Sequence, residues 1–424
     1  MSEATQTVRV APVVGYALFD FANSAYSTVI TTFIFATYFA SGIAADPVTG
    51  AAQWSLAIAA AGVVIALASP IFGAIADQAG RRLPWIGVLT SLSVVATASL
   101  WFAHPTPSDA TFALTAVVIA TVGFEIGGLF YNALLPTIAP PHLMGRISGW
   151  SWGVGYLGGL ICLVVALFGL VQVEPPPFGL DKDTAEPVRA TALLTAGWFL
   201  LFAIPLFAFV REPRKASVPI ATAVSRGMRQ LAQTLRNARR RPNTFRFLIA
   251  AMIYSDAVTT IFALGGVYAA ATFGMDIAGV IKLGIALNVT AGLGAALGGW
   301  VDDRIGSRRT IMLSLIALII SATVVLSAQT ETTFWIAALV MSTFFGPVQA
   351  ASRTLMARLA PPEERTEMFG LFALSGKLTA FMGPAAVGWI TLATGSQRLG
   401  LASTLIFFAV GLWLMRGVKE TPEA

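Results

Sequence analysis

The feature that most constrains the fold is a stretch of roughly 20 apolar residues, which recurs about twelve times along the chain. A helix of this length crosses the hydrocarbon core of a bilayer. Because no water reaches that core, each segment must satisfy its own backbone hydrogen bonds, as a helix does. The sequence therefore predicts an all-α integral membrane protein with twelve transmembrane helices. The predicted spans are 14–40, 52–76, 83–103, 110–138, 147–172, 190–211, 244–271, 277–301, 309–328, 332–358, 366–393 and 398–416.

Composition agrees with lipid as the surrounding solvent. Of the 424 residues, 56% are hydrophobic and 11% are charged, whereas a soluble domain has about 25% charged residues. The net charge of +6 comes mostly from connections between spans, without the interleaved aromatic residues of a single-strand binder, so no nucleic-acid partner is predicted. Cys162 is the only cysteine and no metal-ligand spacing appears, so we predict neither a metal nor a cofactor.

The basic residues predict the orientation of the chain in the membrane. They fall on one side of the predicted spans, and the opposite side is mainly acidic. By the positive-inside rule, both termini and the central loop are expected to be cytoplasmic. The basic side carries Arg81, Arg82, Arg146, the cluster within 211–246, Arg304, Arg308, Arg309, Arg358, Arg365, Arg416 and Lys419.

The central loop divides the chain into two predicted domains. Residues 1–211 are predicted to form an N-terminal six-helix bundle and residues 244–424 a C-terminal one, joined by a basic cytoplasmic linker over 212–243. The linker pattern leaves two interpretations open, a helix lying on the anionic inner leaflet and a solvated basic segment. Its helical spacing places Val224, Met228, Leu231 and Leu235 opposite Arg226, Arg229, Arg236 and Arg240.

One loop motif occurs in both halves. GAIADQAGRR over 73–82 and GWVDDRIGSRR over 299–309 share a glycine, an aspartate four residues later, a further glycine and paired arginines. They resemble the loop motif of the major facilitator superfamily. The two first glycines are expected to allow close helix approach, and the charged residues are predicted to close a gate. These gating residues are Asp77, Arg81, Arg82, Asp303, Arg308, Arg309 and Arg146.

A second repeat indicates internal pseudo-symmetry. Residues 131–150 align without gaps with residues 352–371, and residues 23–30 resemble residues 255–262. Spans four and ten then carry equivalent polar stripes at helical spacing. Parallel repeats of six spans with a site at the midplane are a recurrent transporter plan. The sequence thus predicts two pseudo-symmetric six-helix bundles, the major facilitator fold.

The polar residues of span one recur at helical spacing from Asp20 and Asn23 to Thr31, so they share one face. We expect that face to line an aqueous cavity.

Four motifs carry a family resemblance. FDFANSAYST, GFEIGGLFYNALLP, RISGWSWGVGYLGG and FGLFALSGK are similar to those of the autophagy-related vacuolar amino-acid effluxers and their bacterial relatives. The resemblance implies a major facilitator fold, export of amino acids or similar solutes, and a multi-pass location in the bacterial cytoplasmic (inner) membrane. The cytoplasmic additions of the fungal members are absent, which argues against a role in vacuolar autophagy.

Isolated charges inside the spans are the strongest candidates for a binding site, because a charge at the bilayer centre costs about 2.5–3.5 kcal/mol on insertion scales. Glu125 is predicted to carry a proton or to bind a substrate ammonium. The alternative is a structural hydrogen bond to a neighbouring helix. Asp256 and Lys377 lie at similar depth, and two interpretations remain open, a buried ion pair and a clamp on the two ends of a zwitterion.

Further polar residues are weaker candidates for the substrate or proton site. Asp20 is predicted either to reach a basic residue such as Arg146 and act as a gate, or to contact substrate. Arg353 is expected either to snorkel to the surface or to bind a carboxylate. The predicted lining residues are Asn23, Asn132, Tyr131, Tyr156 and Gln349.

Missing motifs narrow the function. No phosphate-binding GxxxxGK[ST] loop and no nucleophile–base arrangement appears, so neither an ATP-driven pump nor an enzyme is predicted. We predict a monomeric secondary transporter that exports a small polar or zwitterionic solute, best an amino acid, by alternating access. The coupling ion is expected to be the proton, with sodium as the alternative. The other functions left open are a lipid or amphiphile flippase, a multidrug exporter, and a membrane receptor or scaffold.

Overall fold

The structure is a computed structural model that describes residues 9–212, 219–236, 241–275 and 277–420. Within these ranges the ordered elements are helices, and twelve helical segments are long and apolar enough to cross a membrane. The predicted number of spans is therefore confirmed. Six spans in the first half and six in the second are separated by one amphipathic helix. In chain order the α-helices are α1 Val10–Ala25, α2 Phe35–Tyr38, α3 Pro47–Ala79, α4 Leu83–Ser99, α5 Ala110–Ile138, α6 Met144–Ala166, α7 Glu186–Phe209, α8 Ile220–Arg236, α9 Pro242–Phe273, α10 Ile277–Ile305, α11 Ser307–Ser327, α12 Glu331–Thr343, α13 Phe345–Leu359, α14 Arg365–Leu378, α15 Met382–Thr394 and α16 Gln397–Arg416.

Three spans are interrupted. Span one passes from α1 into π-helical turns over Tyr26–Phe33 and Phe39–Ile43, with α2 between them, and such turns often mark functional sites. Span ten breaks at Phe344, between α12 and α13, because Pro347 has no N–H for the carbonyl four residues earlier. Span eleven breaks between α14 and α15. Pro384, in the first turn of α15, likewise has no N–H for the carbonyl four residues earlier, so the helix does not continue from α14.

The linker is helical over Ile220–Arg236, which forms α8. Its buried face carries Ala223 and Leu231, and Gly227 lies against the backbone of Ala74 at the end of α3. The exposed side carries Arg226 and Arg229. One face of α8 therefore packs on protein, whereas Val224 and Met228 are exposed, and contact of α8 with the inner leaflet stays a prediction. Leu235 and Arg236 lie outside the described side chains, and Arg240 lies outside the described residues.

The residues group into two compact units. The first unit comprises 1–68, 80–134 and 154–216, and the second comprises 69–79, 135–153 and 217–424. The second unit thus includes the end of α3 and the connection between α5 and α6, as well as all of the second half. Each unit is described separately below. The predicted division into bundles 1–211 and 244–424 around the linker 212–243 stays a prediction.

The core of the first unit is an aromatic and aliphatic cluster around span one. Tyr26, Phe35 and Phe39 are fully buried there. Tyr38 donates its hydroxyl to the carbonyl of Ala103 at 2.9 Å. Burial of these large side chains between helices fixes the irregular course of span one.

Candidate functional site

A buried carboxylate marks the centre of the second unit. Asp256 lies midway along α9 and is 2% exposed. Its Oδ2 accepts the N–H of Gly383 at 2.8 Å, and Gly383 is the second residue of α15. The unpaired N–H groups and the dipole of a helix N-terminus favour an anion. Among the described residues, the other oxygen, Oδ1, has no hydrogen-bond partner.

Glycine at position 383 is required for this contact. A Cβ atom built there lies 2.1 Å from Thr260 Oγ1 and 3.2 Å from Asp256 Oδ1, and the first distance is far below van der Waals contact. Thr260 is held one turn beyond Asp256, because its hydroxyl donates to the Asp256 carbonyl at 2.7 Å. The break in span eleven therefore brings to Asp256 a backbone donor that the sequence analysis did not predict.

Lys377 lies in the last turn of α14, just before the same break, and is half-buried. The described side-chain hydrogen bond of Asp256 is the one that it accepts from Gly383. The buried ion pair of Asp256 with Lys377 stays a prediction. The clamp on a zwitterion, which needs the two charges apart, stays a prediction.

Span ten contributes a polar face to the second unit. Ser352 shares a hydrogen bond of 2.7 Å with the hydroxyl of Tyr254, two residues before Asp256 on α9. Arg353 is 3% exposed and gives its guanidinium to Ser148, with Nε 2.9 Å from the side-chain oxygen and a terminal nitrogen 2.6 Å from the carbonyl. The same group lies 5.7 Å from the centre of the Trp152 ring. Arg353 therefore does not snorkel to the surface. Gln349, one turn earlier, is half-buried.

In the first unit, the polar stripe of span four contacts span one through Tyr26. The Tyr26 hydroxyl lies 2.8 Å from Thr121 Oγ1 and donates to the Val117 carbonyl at 3.2 Å, and its ring packs on Phe124. Glu125, one turn beyond Thr121, is half-buried. Its predicted proton or ammonium role stays a prediction.

The polar face of span one packs partly on the glycines of span five. A Cβ at Gly155 would lie 3.0 Å from Ser24 Oγ, and one at Gly159 would lie 2.5 Å from Thr28 Oγ1. The hydroxyl of Thr28 also donates to the Ser24 carbonyl at 2.9 Å. Ser24 and Thr28 thus lie beside span five and are half-buried, and the expectation that this face lines an aqueous cavity stays a prediction. Asp20 and Asn23 on this face are half-buried.

The two halves use equivalent positions for these contacts. In the alignment of 23–30 with 255–262, Ser24 corresponds to Asp256 and Thr28 to Thr260. Each pair packs on a glycine, Gly155 or Gly159 in the first unit and Gly383 in the second. At equivalent positions the first half thus carries a neutral hydroxyl and the second half a carboxylate, and each lies beside a glycine.

Tyr131, Asn132 and Tyr156 were predicted to line the site. The Tyr131 ring stacks on Tyr16 and Phe19 with centroids 4.1 and 4.7 Å apart, and its hydroxyl donates to the Tyr16 carbonyl at 2.8 Å. This residue is 1% exposed. Asn132 and Tyr156 are half-buried, and their lining role stays a prediction.

At the arginine-rich end of the second unit, where Arg146, Arg308 and Arg358 lie, the loop-motif aspartates cap two helices. Asp303 accepts the N–H groups of Gly145 and Arg146 at 2.8 and 3.2 Å and the Arg146 Nε at 2.8 Å, at the start of α6.

Asp77 repeats this arrangement at the start of α14. It accepts the N–H groups of Thr366 and Glu367 at 3.1 and 2.8 Å. In the alignment of 131–150 with 352–371, Gly145 corresponds to Thr366 and Arg146 to Glu367. A Cβ at Gly73 would lie 2.6 Å from the Thr366 carbonyl and one at Gly299 2.8 Å from the Gly145 carbonyl, so both motif glycines allow the close approach that the sequence predicts.

Two further caps were missed by the sequence analysis. Glu212 accepts the N–H groups of Arg82 at 2.7 Å and Leu83 at 2.8 Å, at the start of α4. Glu420 accepts the N–H of Ser307 at 2.7 Å, at the start of α11. Each of these glutamates directly follows a basic residue just after the last span of its half. That position is the sequence feature from which the two caps could have been predicted.

The remaining motif arginines differ in their surroundings. Arg308 donates to the carbonyls of Met415 and Arg416 at 3.2 and 2.8 Å, at the end of α16. Arg81 and Arg309 are exposed. Gating by these residues stays a prediction.

Two partly buried amide side chains join α8 to the rest of the second unit at the same end. Gln78 donates to the Gln230 side-chain oxygen at 2.5 Å, and Gln230 donates to Glu367 Oε2 at 2.5 Å. Glu367 is fully buried. Sequence analysis singled out neither Gln230 nor Glu367, since neither belongs to a charged motif.

These features, twelve spans in two halves with repeated polar and capping residues, define a multi-pass membrane transporter of the major facilitator class. The model of the family described as vacuole effluxer Atg22-like matches residues 48–421, and the chain belongs to that family. Its fold and family are those of transporters and not of enzymes.

Curated relatives agree with this assignment. The chain is 28% identical over 411 residues to the uncharacterized MFS-type transporter YxiO of Bacillus subtilis, covering 96% of this chain and 94% of the relative. It is 22% identical over 407 residues to autophagy-related protein 22 of Saccharomyces cerevisiae strain S288c, covering 81% and 73%. A bacterial relative thus aligns along almost its whole length.

Solved structures show the same fold. The major facilitator proton:xylose symporter XylE aligns with a TM-score of 0.76 at 12% identity, covering 98% of this chain and 97% of the other. The human organic anion transporter MFSD10 aligns with a TM-score of 0.71 at 14% identity, covering 98% and 100%. At these identities the likeness concerns the fold alone.

Proposed function

We propose that this protein is a secondary active transporter that moves a small polar or zwitterionic solute out of the cytoplasm by alternating access. An amino acid is the solute that we propose. The residues proposed to bind solute or proton are Asp256, Lys377 and the span-ten face in the second unit, and Glu125 and the span-one residues in the first. The membrane is the bacterial inner membrane, because the relative that aligns along almost its full length is bacterial. Export follows from the family description as an effluxer.

The observation that carries the proposal is the half-satisfied carboxyl of Asp256. One oxygen faces the N-terminus of α15 and, among the described residues, the other is buried without a hydrogen-bond partner. An unpartnered buried acceptor is costly, so the site is better satisfied when Oδ1 carries a proton or meets a substrate ammonium. A scaffold gains nothing from that cost, which argues against a receptor without turnover.

Proton coupling is the form of energy input we propose. The carboxyls of Asp256 and Glu125 are the candidate carriers. Two solved neighbours, XylE and FucP, are themselves described as proton symporters, which supports the proton over sodium for this fold. The aspartate caps at the arginine-rich end are proposed to close the cytoplasmic side during the cycle.

The test is counterflow and gradient-driven transport in proteoliposomes with a panel of labelled amino acids. Wild type is compared with Asp256→Asn, Glu125→Gln and the control Glu331→Gln, whose carboxyl is exposed at the start of α12. We expect counterflow to persist in Asp256→Asn while accumulation driven by a pH gradient is lost, and the control to behave as wild type. A sodium gradient is applied in parallel.

Two outcomes would change the proposal. Full response to the pH gradient in both site variants would reject proton carriage by these carboxyls. No flux of any amino acid through protein with a cooperative melting transition would reject the amino-acid substrate and favour an amphiphile flippase or a multidrug exporter.

A further inference from the structure

A cationic pocket lies at the arginine-rich end of the second unit, outside the transport site. It has a volume of about 450 Å³ and is formed where α10, α11 and α16 end or begin. Ligand pockets commonly measure about 300–1,000 Å³. The charged side chains that line it are Arg308, Arg309, Arg416, Lys419 and Glu420.

The pocket carries an excess of positive charge. Its one lining carboxylate, Glu420, pairs with Arg358 at 2.5 Å and accepts the N–H of Ser307, so it does not neutralise the lining cations. Within the described ion pairs, Arg309, Arg416 and Lys419 do not take part. Three exposed cations thus surround a concave surface.

The pocket is also preformed. Arg308 is fixed by two hydrogen bonds to the last carbonyls of α16, and these use two of its five N–H donors. The Glu420 contacts hold the segment after α16 against the start of α11. A fixed guanidinium loses little conformational entropy when it binds a planar or tetrahedral oxyanion.

Apolar stripes on two helices run from this pocket into the membrane. On α11, Arg309 begins a stripe that continues through Leu313, Ile316 and Ile320 at helical spacing, and all three are exposed. On α16, exposed Ile406, Val410 and Trp413 lead to Arg416. Indole side chains concentrate at the level of lipid headgroups, so Trp413 places the pocket at that depth.

We propose that this pocket binds the phosphodiester headgroup of an anionic glycerophospholipid, whose acyl chains follow the stripes on α11 and α16. Arg309, Arg416 and Lys419 surround the phosphate, and Arg308 supplies its remaining donors. A soluble phosphate compound shares the headgroup chemistry but has no acyl chains to contact the apolar stripes. The stripes therefore favour a lipid. Basic pockets near the cytoplasmic ends of membrane helices are suited to such headgroups.

The test is native mass spectrometry of the full-length protein in detergent, titrated with dioleoyl phosphatidylglycerol, dioleoyl phosphatidylcholine or glycerol 3-phosphate. Wild type is compared with Arg309→Gln/Arg416→Gln/Lys419→Gln. The control Arg226→Gln/Arg229→Gln/Arg304→Gln removes the same charge from exposed residues outside the pocket. Melting curves establish that each variant is folded, and the single variant Arg309→Gln replaces the triple if the triple does not fold.

We expect wild type and the control to bind phosphatidylglycerol alike, and the pocket variant to bind it roughly tenfold or more weakly, because each cation near an anionic headgroup contributes. Phosphatidylcholine should bind weakly to all three proteins. Equal losses in pocket and control variants would overturn the proposal, since they would indicate general charge attraction. Glycerol 3-phosphate that binds wild type as tightly as the lipid does would overturn it in favour of a soluble ligand.

Discussion

Asp256 Oδ2 and the backbone N–H of Gly383 lie 2.8 Å apart, joining the middle of span seven to the broken point of span eleven. The contact makes a helix end, rather than a side chain, the partner of a carboxylate in the membrane. It leaves one lobe of the carboxylate available to a proton or ligand. Binding of a proton or ligand at Oδ1 can therefore change the hydrogen bond that holds the start of α15.

Gly383→Ala should damage both stability and transport. The new Cβ would lie 2.1 Å from Thr260 Oγ1, so α15 must move away from Asp256, and overpacking of this kind costs about 1–3 kcal/mol. We expect a lower melting temperature in detergent and loss of pH-driven accumulation in proteoliposomes. The control is Gly388→Ala on the same helix, where a Cβ meets nothing within 4 Å. Equal behaviour of the two variants would contradict the close packing at Gly383.

Asp303→Asn should destabilise the protein less than Asp303→Ala does. Asp303→Ala leaves the N–H groups of Gly145 and Arg146 without their acceptor, at a cost of about 0.5–2 kcal/mol. Asp303→Asn still caps the helix but loses the charge that meets Arg146. We expect melting temperatures in the order wild type, asparagine, alanine, with exposed Arg304→Ala matching wild type. Identical effects of asparagine and alanine would mean that the Arg146 ion pair, and not the cap, stabilises this end.

Gln230→Ala should loosen α8 from the rest of the second unit. The change removes the amide that donates to the buried Glu367 carboxylate and accepts from Gln78, and an unpaired buried acceptor costs about 1–3 kcal/mol. We expect faster hydrogen exchange of amides over 220–236. Gln233→Ala, an exposed position on the same helix, is the matched control. Unchanged exchange in Gln230→Ala would show that the apolar face alone holds α8.

Arg353→Lys should behave as a loss of function despite the retained charge. A lysine ammonium lacks the rigid fork whose separate nitrogens donate to the hydroxyl and the carbonyl of Ser148. It also lacks the planar surface that lies over Trp152. We expect a lower melting temperature and reduced counterflow. Arg358→Lys provides the comparison, because the Arg358 guanidinium donates to the carboxylates of Asp302 and Glu420 and to the Ser307 hydroxyl. A wild-type melting curve for Arg353→Lys would mean that charge alone matters at this position.

Sequence predicts the repeated elements of this protein well. The number of spans follows from apolar length, and the close approach at Gly73 and Gly299 follows from a motif used twice. The partner of Asp256 stays open at the level of sequence, because spacing gives the depth of a residue along a helix but not its direction around the bundle. The broken span eleven then supplies a backbone partner that no residue pattern encodes. Gln230, Glu212 and Glu420 were missed for a related reason, since their partners lie more than 100 residues away in the chain.

The Glu212 cap has a consequence for how the protein is made. The start of α4 receives its acceptor from a residue 130 positions later. At a synthesis rate of about 5–20 residues per second, the ribosome needs roughly ten seconds to reach it. During that interval α4 is inserted with its first N–H groups open to water or to a passing anion. The start of the third span thus receives its hydrogen-bond acceptor only after the sixth span has been synthesised. The first six spans therefore reach their final contacts only once the last of them is in place.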